Sequence, residues 1–322
     1  MKKSTYRASS DIALIKYWGK KDEILRLPEN GSISMILAGL DTVTTVEFSP
    51  ELTQDAVTIA GEQDPKEAAR VSKHLDRIRK IADTEVFAKV DSENTFPRGT
   101  GLSSSGSGFA ALTYAAADAL DLNLSEKELS ILARQGSGTA CRCVCGGYVE
   151  WLDGDSSETS YSTTIFPADY WQIVDVVAVV DEGRKKISST EGHQTAQSSP
   201  FFQTRQAHLP AKIEAVKTAL AAKDFTKLGE IVEAEALEFH SILLTSQPTL
   251  IAWYPGTVEV MLAVQQLRAE GVAAYFTINT GFNVHVLTLP EYQDQVQAKL
   301  AALPLVKKTL IAVTGDQPQK VS

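Results

Sequence analysis

The segment Pro97-Arg-Gly-Thr-Gly-Leu-Ser-Ser-Ser-Gly-Ser-Gly108 concentrates residue types suited to holding a phosphate. Glycines let the backbone approach an anion closely, and amides at a helix start meet it with the positive end of the dipole. Ser103, Ser104, Ser105 and Ser107 add hydroxyl donors and candidate magnesium ligands. No Gly-Lys-Ser/Thr follows, so this is not a Walker A loop. A merely flexible serine-rich loop would explain the composition. It would not explain the abrupt entry into the alanine-rich helix that starts at Phe109. Two further segments carry usable groups. Ala13-Leu-Ile-Lys-Tyr-Trp-Gly-Lys20 spaces two lysines around aromatics, either over an anionic substrate or on an amphipathic surface strand. Gly136-Ser-Gly-Thr-Ala-Cys-Arg142 combines small residues with one arginine, whose planar fork suits a carboxylate; a tight helix start with a surface arginine would read the same way.

The elements that must position these groups are mixed. Thr42 to Phe48 alternates as a β-branched strand, with Ala56 to Ala60 as a partner and Glu85 to Val90 as a further strand. Pro65 opens a helix with an apolar stripe at Val71, Leu75, Ile78 and Ala82. Ser125 and Glu128 form a capping box. Ile173 to Val180 reads as a buried strand, followed by helices near Thr204 to Ala222 and Phe225 to His240. Pro255 and Gly271 bracket another helix. Strands follow at Ala274 to Ile278 and Val284 to Leu287, around a Thr280-Gly281 turn, and Ile311 to Val313 gives a last one. There is no repeat or low-complexity segment, and the order argues for α+β rather than a doubly wound sheet.

Composition narrows the function. The 322 residues carry 31 basic and 40 acidic side chains, a net charge of -9, so sequence-independent nucleic-acid binding is disfavoured. No apolar run approaches membrane-spanning length. Lys2 and Lys3 are followed by polar residues rather than a signal-peptide core, so a cytoplasmic location is expected. Cys141, Cys143 and Cys145 are spaced too tightly for the usual zinc patterns and read as packed small residues. The five histidines, scattered at 74, 193, 208, 240 and 285, suggest solvated or structural roles.

Taken together, the three segments resemble the diphosphomevalonate decarboxylase family of the GHMP kinase superfamily, in the same order along most of the chain. Ile12 to Lys20 looks like its N-terminal signature. Asn30-Gly-Ser-Ile-Ser34, the serine-rich loop, Gly136 to Arg142 and Gly146-Gly-Tyr-Val-Glu-Trp151 are similar to its later blocks. The resemblance implies a GHMP kinase fold of two α/β lobes around a deep cleft, residues 1–180 and 181–322, in a homodimer. It implies ATP and Mg2+ as cofactors, phosphorylation of a tertiary 3-hydroxyl, and decarboxylation as that phosphate leaves. Ser105 matches the phosphate-loop serine and is the metal ligand; Arg142 matches the arginine that grips the substrate carboxylate. Asp11, Tyr17, Lys20, Arg70, Ser137, Lys186 and Ser189 fall at substrate positions, Lys185 and Lys186 forming a pair, and Lys20 counts with the catalytic set. Asn94, Gly99, Gly101, Ser103, Ser104, Ser105, Gly106 and Ser107 fall at the nucleotide.

Two positions depart from the family. Asp11 stands where asparagine is usual; it would either pair with Arg142 or replace a hydrogen bond. Asn279 stands where the family carries its catalytic aspartate, and an amide cannot accept a proton near neutral pH. Three readings follow: a variant inactivated so as to hold substrate and ATP together, which is preferred; a slow natural enzyme; or related chemistry without that base. Ala252-Trp-Tyr-Pro255, Tyr275-Phe-Thr and Thr190 in place of an arginine look more like phosphomevalonate decarboxylases, so 5-phosphomevalonate is the expected substrate. The alternatives are diphosphomevalonate, a mevalonate-type 3-kinase activity, and a non-catalytic ligand-binding protein.

Overall fold

The computed structural model describes residues 2–97, 99–183 and 189–321. The strands are β1 (Lys3–Ile15), β2 (Lys20–Asp22), β3 (Leu27–Pro28), β4 (Ser32–Phe48), β5 (Ala56–Ile59), β6 (Ala88–Asn94), β7 (Tyr148–Trp151), β8 (Ser162–Phe166), β9 (Val174–Val179), β10 (Ala274–Thr277), β11 (Val284–Thr288), β12 (Lys308–Thr314) and β13 (Gln319–Lys320). The helices are α1 (Pro65–Ile81), α2 (Ser104–Ala119), α3 (Glu126–Gly136), α4 (Ser189–Thr195), α5 (Phe202–Ala222), α6 (Phe225–Thr245), α7 (Pro255–Ala269) and α8 (Gln293–Ala301). A 3₁₀ segment, Gly138–Val144, links α3 to β7.

One sheet runs β10-β11-β9-β12-β4-β1-β13, with β6 and β7 also pairing with β4. Strand β4 is its spine. The half from Thr42 onward alternates buried and half-exposed residues, as a strand with one covered face should. The half from Ser32 to Leu37 is buried throughout, because both faces are covered. Strand β1 lies antiparallel to β4, with register shifts between Ser9 and Ser10 and between Ala13 and Ile15. Those shifts end the regular ladder just before Lys16.

Two cores flank β9. Val177 and Val179 face one, and Val174, Val176 and Ala178 face the other. A third core forms under α2, whose alanines let the helix lie close to the sheet. Ser107 on α2 locks that contact by a 2.6 Å hydrogen bond with Thr42 of β4. The predicted capping box on α3 is present, with Ser125 and Glu128 each accepting from the other's backbone.

Glu235, fully buried on α6, ties the first half of the chain to the second. It pairs with Arg205 of α5, accepts from Lys212 Nζ at 2.9 Å and accepts from the backbone N–H of Lys16 at 3.1 Å. Beside it, Gly229 of α6 admits the ring of Tyr275 on β10, the strand that leads to Asn279. A Cβ at Gly229 would lie 2.1 Å from that ring. Gly229→Ala gains ~1 kcal/mol of helix propensity but overpacks a filled site, which typically costs ~1–3 kcal/mol. The clash wins, and the expected outcome is a lower urea midpoint and melting temperature.

Candidate active site

Position 11 decides how Arg142 is held. Nε of Arg142 donates to Oδ2 of Asp11 at 2.8 Å, Nη2 forms an ion pair with the same oxygen at 2.8 Å, and Nη1 donates to Ser32 Oγ at 2.7 Å. Asp11 also accepts from Ser103 Oγ at 2.6 Å and Ser34 Oγ at 2.8 Å. Of the two options open in the sequence, Asp11 therefore takes the first: it pairs with Arg142. Burial alone would push the Asp11 carboxyl up, but the Arg142 charge and the serine hydroxyls outweigh it and hold it below the ordinary carboxylate range. A guanidinium has five N–H donors. Nε and one N–H of Nη1 are engaged, which leaves N–H bonds on both Nη atoms, the end-on fork that suits a carboxylate.

The serine-rich loop reaches the same place. Ser103, the residue before α2, is left-handed (φ 58°) and gives the helix no side-chain cap; its hydroxyl goes to Asp11 instead. The first amides of α2 are thus left for another acceptor. Ser105 Oγ lies 3.2 Å from Ser137 Oγ, joining the loop to the segment that carries Arg142. Ser104 Oγ accepts from Gly99 N–H at 3.5 Å, and Gly106 N–H closes on Ser103 at 2.8 Å. Ser107 is turned away, buried against Thr42, and Asn94 donates to the same Thr42 hydroxyl at 2.6 Å. Gly101, at φ +96°, packs on Gly281; a Cβ there would meet Gly281 Cα at 2.6 Å. The loop therefore touches the turn after Asn279, whose Nδ2 lies 3.4 Å from the Gly101 carbonyl.

The two lysines of the first signature part company. Lys20 stays on β2, bound to Glu23 at 2.6 Å. Lys16 turns inward, 2% exposed, and donates to Ala13 O at 2.7 Å and to Asn279 Oδ1 at 3.2 Å. Desolvation holds its amine down at about 7, against the raising effect of Glu235. His240 donates from Nε2 to the Asn279 carbonyl at 3.0 Å, and burial holds this histidine down at about 3, hence neutral. Tyr17 lies between Trp151 and His193, its hydroxyl buried without a hydrogen-bond partner among the described residues. Next to Ser137, a cavity of about 170 Å³ is lined by Arg26, Arg70, Lys73 and Arg77, with Glu23, Gln135 and Gly136. Arg70 is held there by a two-pronged contact to Glu67 and stacks on Phe109.

Residues 8–162 match the family model described as a diphosphomevalonate decarboxylase-like N-terminal domain, and 175–320 match the mevalonate 5-diphosphate decarboxylase C-terminal domain. The chain belongs to the diphosphomevalonate decarboxylase family. Members are ATP-dependent carboxy-lyases, and this chain is an enzyme of that kind. It is 34% identical to the phosphomevalonate decarboxylase of Haloferax volcanii over 93% of this chain and 92% of the relative. It is 33% identical to the diphosphomevalonate decarboxylase of Candida albicans over 93% and 88%. Its fold matches the mevalonate diphosphate decarboxylase of Staphylococcus aureus with a TM-score of 0.95 at 36% identity, covering 100% of this chain and 98% of that one. A structure described as MDDEF in complex with MVAPP, AMPPCP and magnesium matches at 0.93 and 37%, covering 99% of each. The GHMP kinase fold expected from the family resemblance is the fold observed.

Of the residues singled out in the sequence, Asp11, Ser103 and Arg142 form one bonded set and Ser105 and Ser137 a second, the two sharing the loop at the start of α2. Asn279 joins it through Gly101. Lys185 and Lys186, and the side chains of Ser189 and Thr190, lie outside the described residues. Sequence reasoning missed Glu235 and His240. A signal was there: Leu228, Val232, Glu235, Phe239 and Ile242 share one buried helical face, so the carboxylate falls on an apolar stripe.

Asp11→Ala leaves Arg142 buried without its counter-ion, and urea denaturation is expected to show a loss of ~3–5 kcal/mol. Because the folded Asp11 carboxyl lies below its unfolded value, its stabilisation is complete above about pH 4 and fades as pH falls through the folded value. Asp11→Asn is expected to flatten that acid limb in pH-dependent melting.

Proposed function

We propose that the chain converts 5-phosphomevalonate, ATP-dependently, to isopentenyl phosphate, ADP, phosphate and CO2, at a rate reduced by Asn279. The observation that most supports this reading is the 3.2 Å contact between Ser105, at the start of α2, and Ser137, which precedes the segment carrying Arg142 and follows Gly136 of the cationic cavity. In this reading the lobe of residues 1–180 supplies the phosphate loop and the carboxylate clamp, and residues 181–322 supply Asn279.

The end-on fork of Arg142 holds the substrate carboxylate, and the arginine-lined cavity takes the phosphorylated end. Ser105 and the first amides of α2 meet the transferring phosphoryl group. Asn279 hydrogen-bonds the 3-hydroxyl without deprotonating it. Once that oxygen is phosphorylated, phosphate leaves with the electrons of the breaking bond to the carboxyl carbon. Among the described residues no three His, Cys, Asp or Glu side chains converge as metal ligands. Ser105 Oγ is the protein oxygen that would help hold magnesium brought with ATP, and the ion would supply charge screening there. A homodimeric state and a cytoplasmic location belong to the same reading and rest on the family resemblance.

The monophosphate reading rests on Ala252 to Pro255, Tyr275 to Thr277 and Thr190. One observation favours the diphosphate: four cations line the cavity beside Ser137, more than one phosphate needs. Comparing kcat/KM for the two substrates tests this. The monophosphate is expected to win, and a tenfold preference for the diphosphate reverses the assignment. Asn279→Asp is expected to raise turnover by ~10²–10⁴-fold, the usual worth of a positioned base; equal rates would remove any role for a base at this position.

A further inference from the structure

We infer that Lys16, as a neutral amine, is the proton acceptor for the substrate alcohol in this chain. The inference rests on the functional reading above and names the group that acts where Asn279 cannot.

The geometry comes first. Lys16 Nζ donates two hydrogen bonds, to Ala13 O at 2.7 Å and to Asn279 Oδ1 at 3.2 Å. The amide of Asn279 is oriented by its other end, since Nδ2 faces the Gly101 carbonyl at 3.4 Å. A neutral amine has two N–H bonds and one lone pair. Two acceptors use both hydrogens, and among the described residues no third partner takes the remaining tetrahedral direction. An ammonium in this place would carry a third N–H with no acceptor there, a costly arrangement at 2% exposure. The neutral form fits the site.

Glu235 and His240 face Lys16 from α6, Asp11 from β1, Asp175 from β9 and Arg142 from the 3₁₀ segment. Arg205 of α5 contacts its carbonyl. The carboxylates are engaged elsewhere: Asp11 by Arg142, Glu235 by Arg205 and Lys212, Asp175 by His285 at 2.6 Å. His240 is neutral, and Arg142 repels a second cation. A carboxylate at position 279 would have touched Nζ and favoured the ammonium. The amide there does not. Desolvation then leaves the amine titrating at about 7, where a general base works well.

The step balances. The alcohol O–H proton passes to the Lys16 lone pair as the oxygen forms its bond to the γ-phosphorus of ATP. The bond from that phosphorus to the bridging oxygen breaks, and ADP leaves. The new ammonium is held by Ala13 O and Asn279 Oδ1 until it returns the proton to solvent.

The test combines an activity-independent titration with single-turnover ADP formation. Competitive acylation of the intact protein across pH, read by peptide mass spectrometry, is expected to show Lys16 titrating near 7; a value above about 9 overturns the proposal. ADP formation from ATP and 5-phosphomevalonate, or the diphosphate, is expected to rise tenfold per pH unit below 7 and level off above it. Lys16→Arg keeps a cation that cannot release its proton. It is expected to lose ~10²-fold or more together with the pH limb; retention of the parent rate shows a merely electrostatic lysine and overturns the base role. Lys16→Met is expected to be equally slow and to be restored in part when Asn279→Asp is added, which also shows that the Met variant folds. A double variant no faster than Lys16→Met overturns the proposal. If neither mevalonate phosphate yields ADP even with Asn279→Asp, the functional reading fails instead, and the acylation titration still decides the state of Lys16.

Discussion

Taking Asp11 and Arg142 out of water costs several kcal/mol per ion before their mutual attraction is counted. The surroundings are arranged to offset that cost. Ser103, Ser34 and Ser32 occupy lone pairs and N–H bonds that the ion pair leaves over. Those serines come from two elements: Ser103 from the loop before α2, and Ser32 and Ser34 from β4. The pair therefore fixes more than the arginine. Because Ser103 turns to Asp11, the residue before α2 is left-handed and does not cap its own helix, and the helix start is left open. One buried interaction sets both the orientation of Arg142 and the conformation of the serine-rich loop.

A second buried carboxylate does comparable service on the far side. Glu235 collects Arg205, Lys212 and the backbone of Lys16, so the chain just after β1 is drawn onto α6. That placement turns Lys16 inward while Lys20, four residues later, remains on a short strand with Glu23. The two lysines share a sequence signature but not an environment. Both side chains are withdrawn from water, but Lys20 keeps a carboxylate partner, whereas Lys16 Nζ meets only a carbonyl and an amide oxygen.

Much of the fold was legible where one face of an element meets water. Thr42 to Phe48 alternates, and its strand was read; Ser32 to Leu37 is covered on both faces, carries no alternation, and was not recognised as the same strand. The apolar stripe of α1 and the cap of α3 were read from residue types alone. Helix α8 was missed because only Val296 and Leu300 are buried on it, too little for a periodic signal. Composition offers four serines of the loop alike as hydroxyl donors, but Ser107 is spent on the sheet, a distinction that composition cannot make. The union of Asp11 with Arg142 spans 131 positions of sequence, so the sequence offers it only as one of two options and packing decides. The same holds for Lys16: sequence gives its place in the order, and tertiary packing gives its direction.

The seam between Gly101 and Gly281 is made of main chain on both sides. No rotamer change can loosen it, since neither residue has a side chain to swing. The serine-rich loop and the turn that follows Asn279 must travel as one rigid corner or be pulled apart outright. A push delivered to one wall of the cleft is therefore transmitted to the other without loss of register.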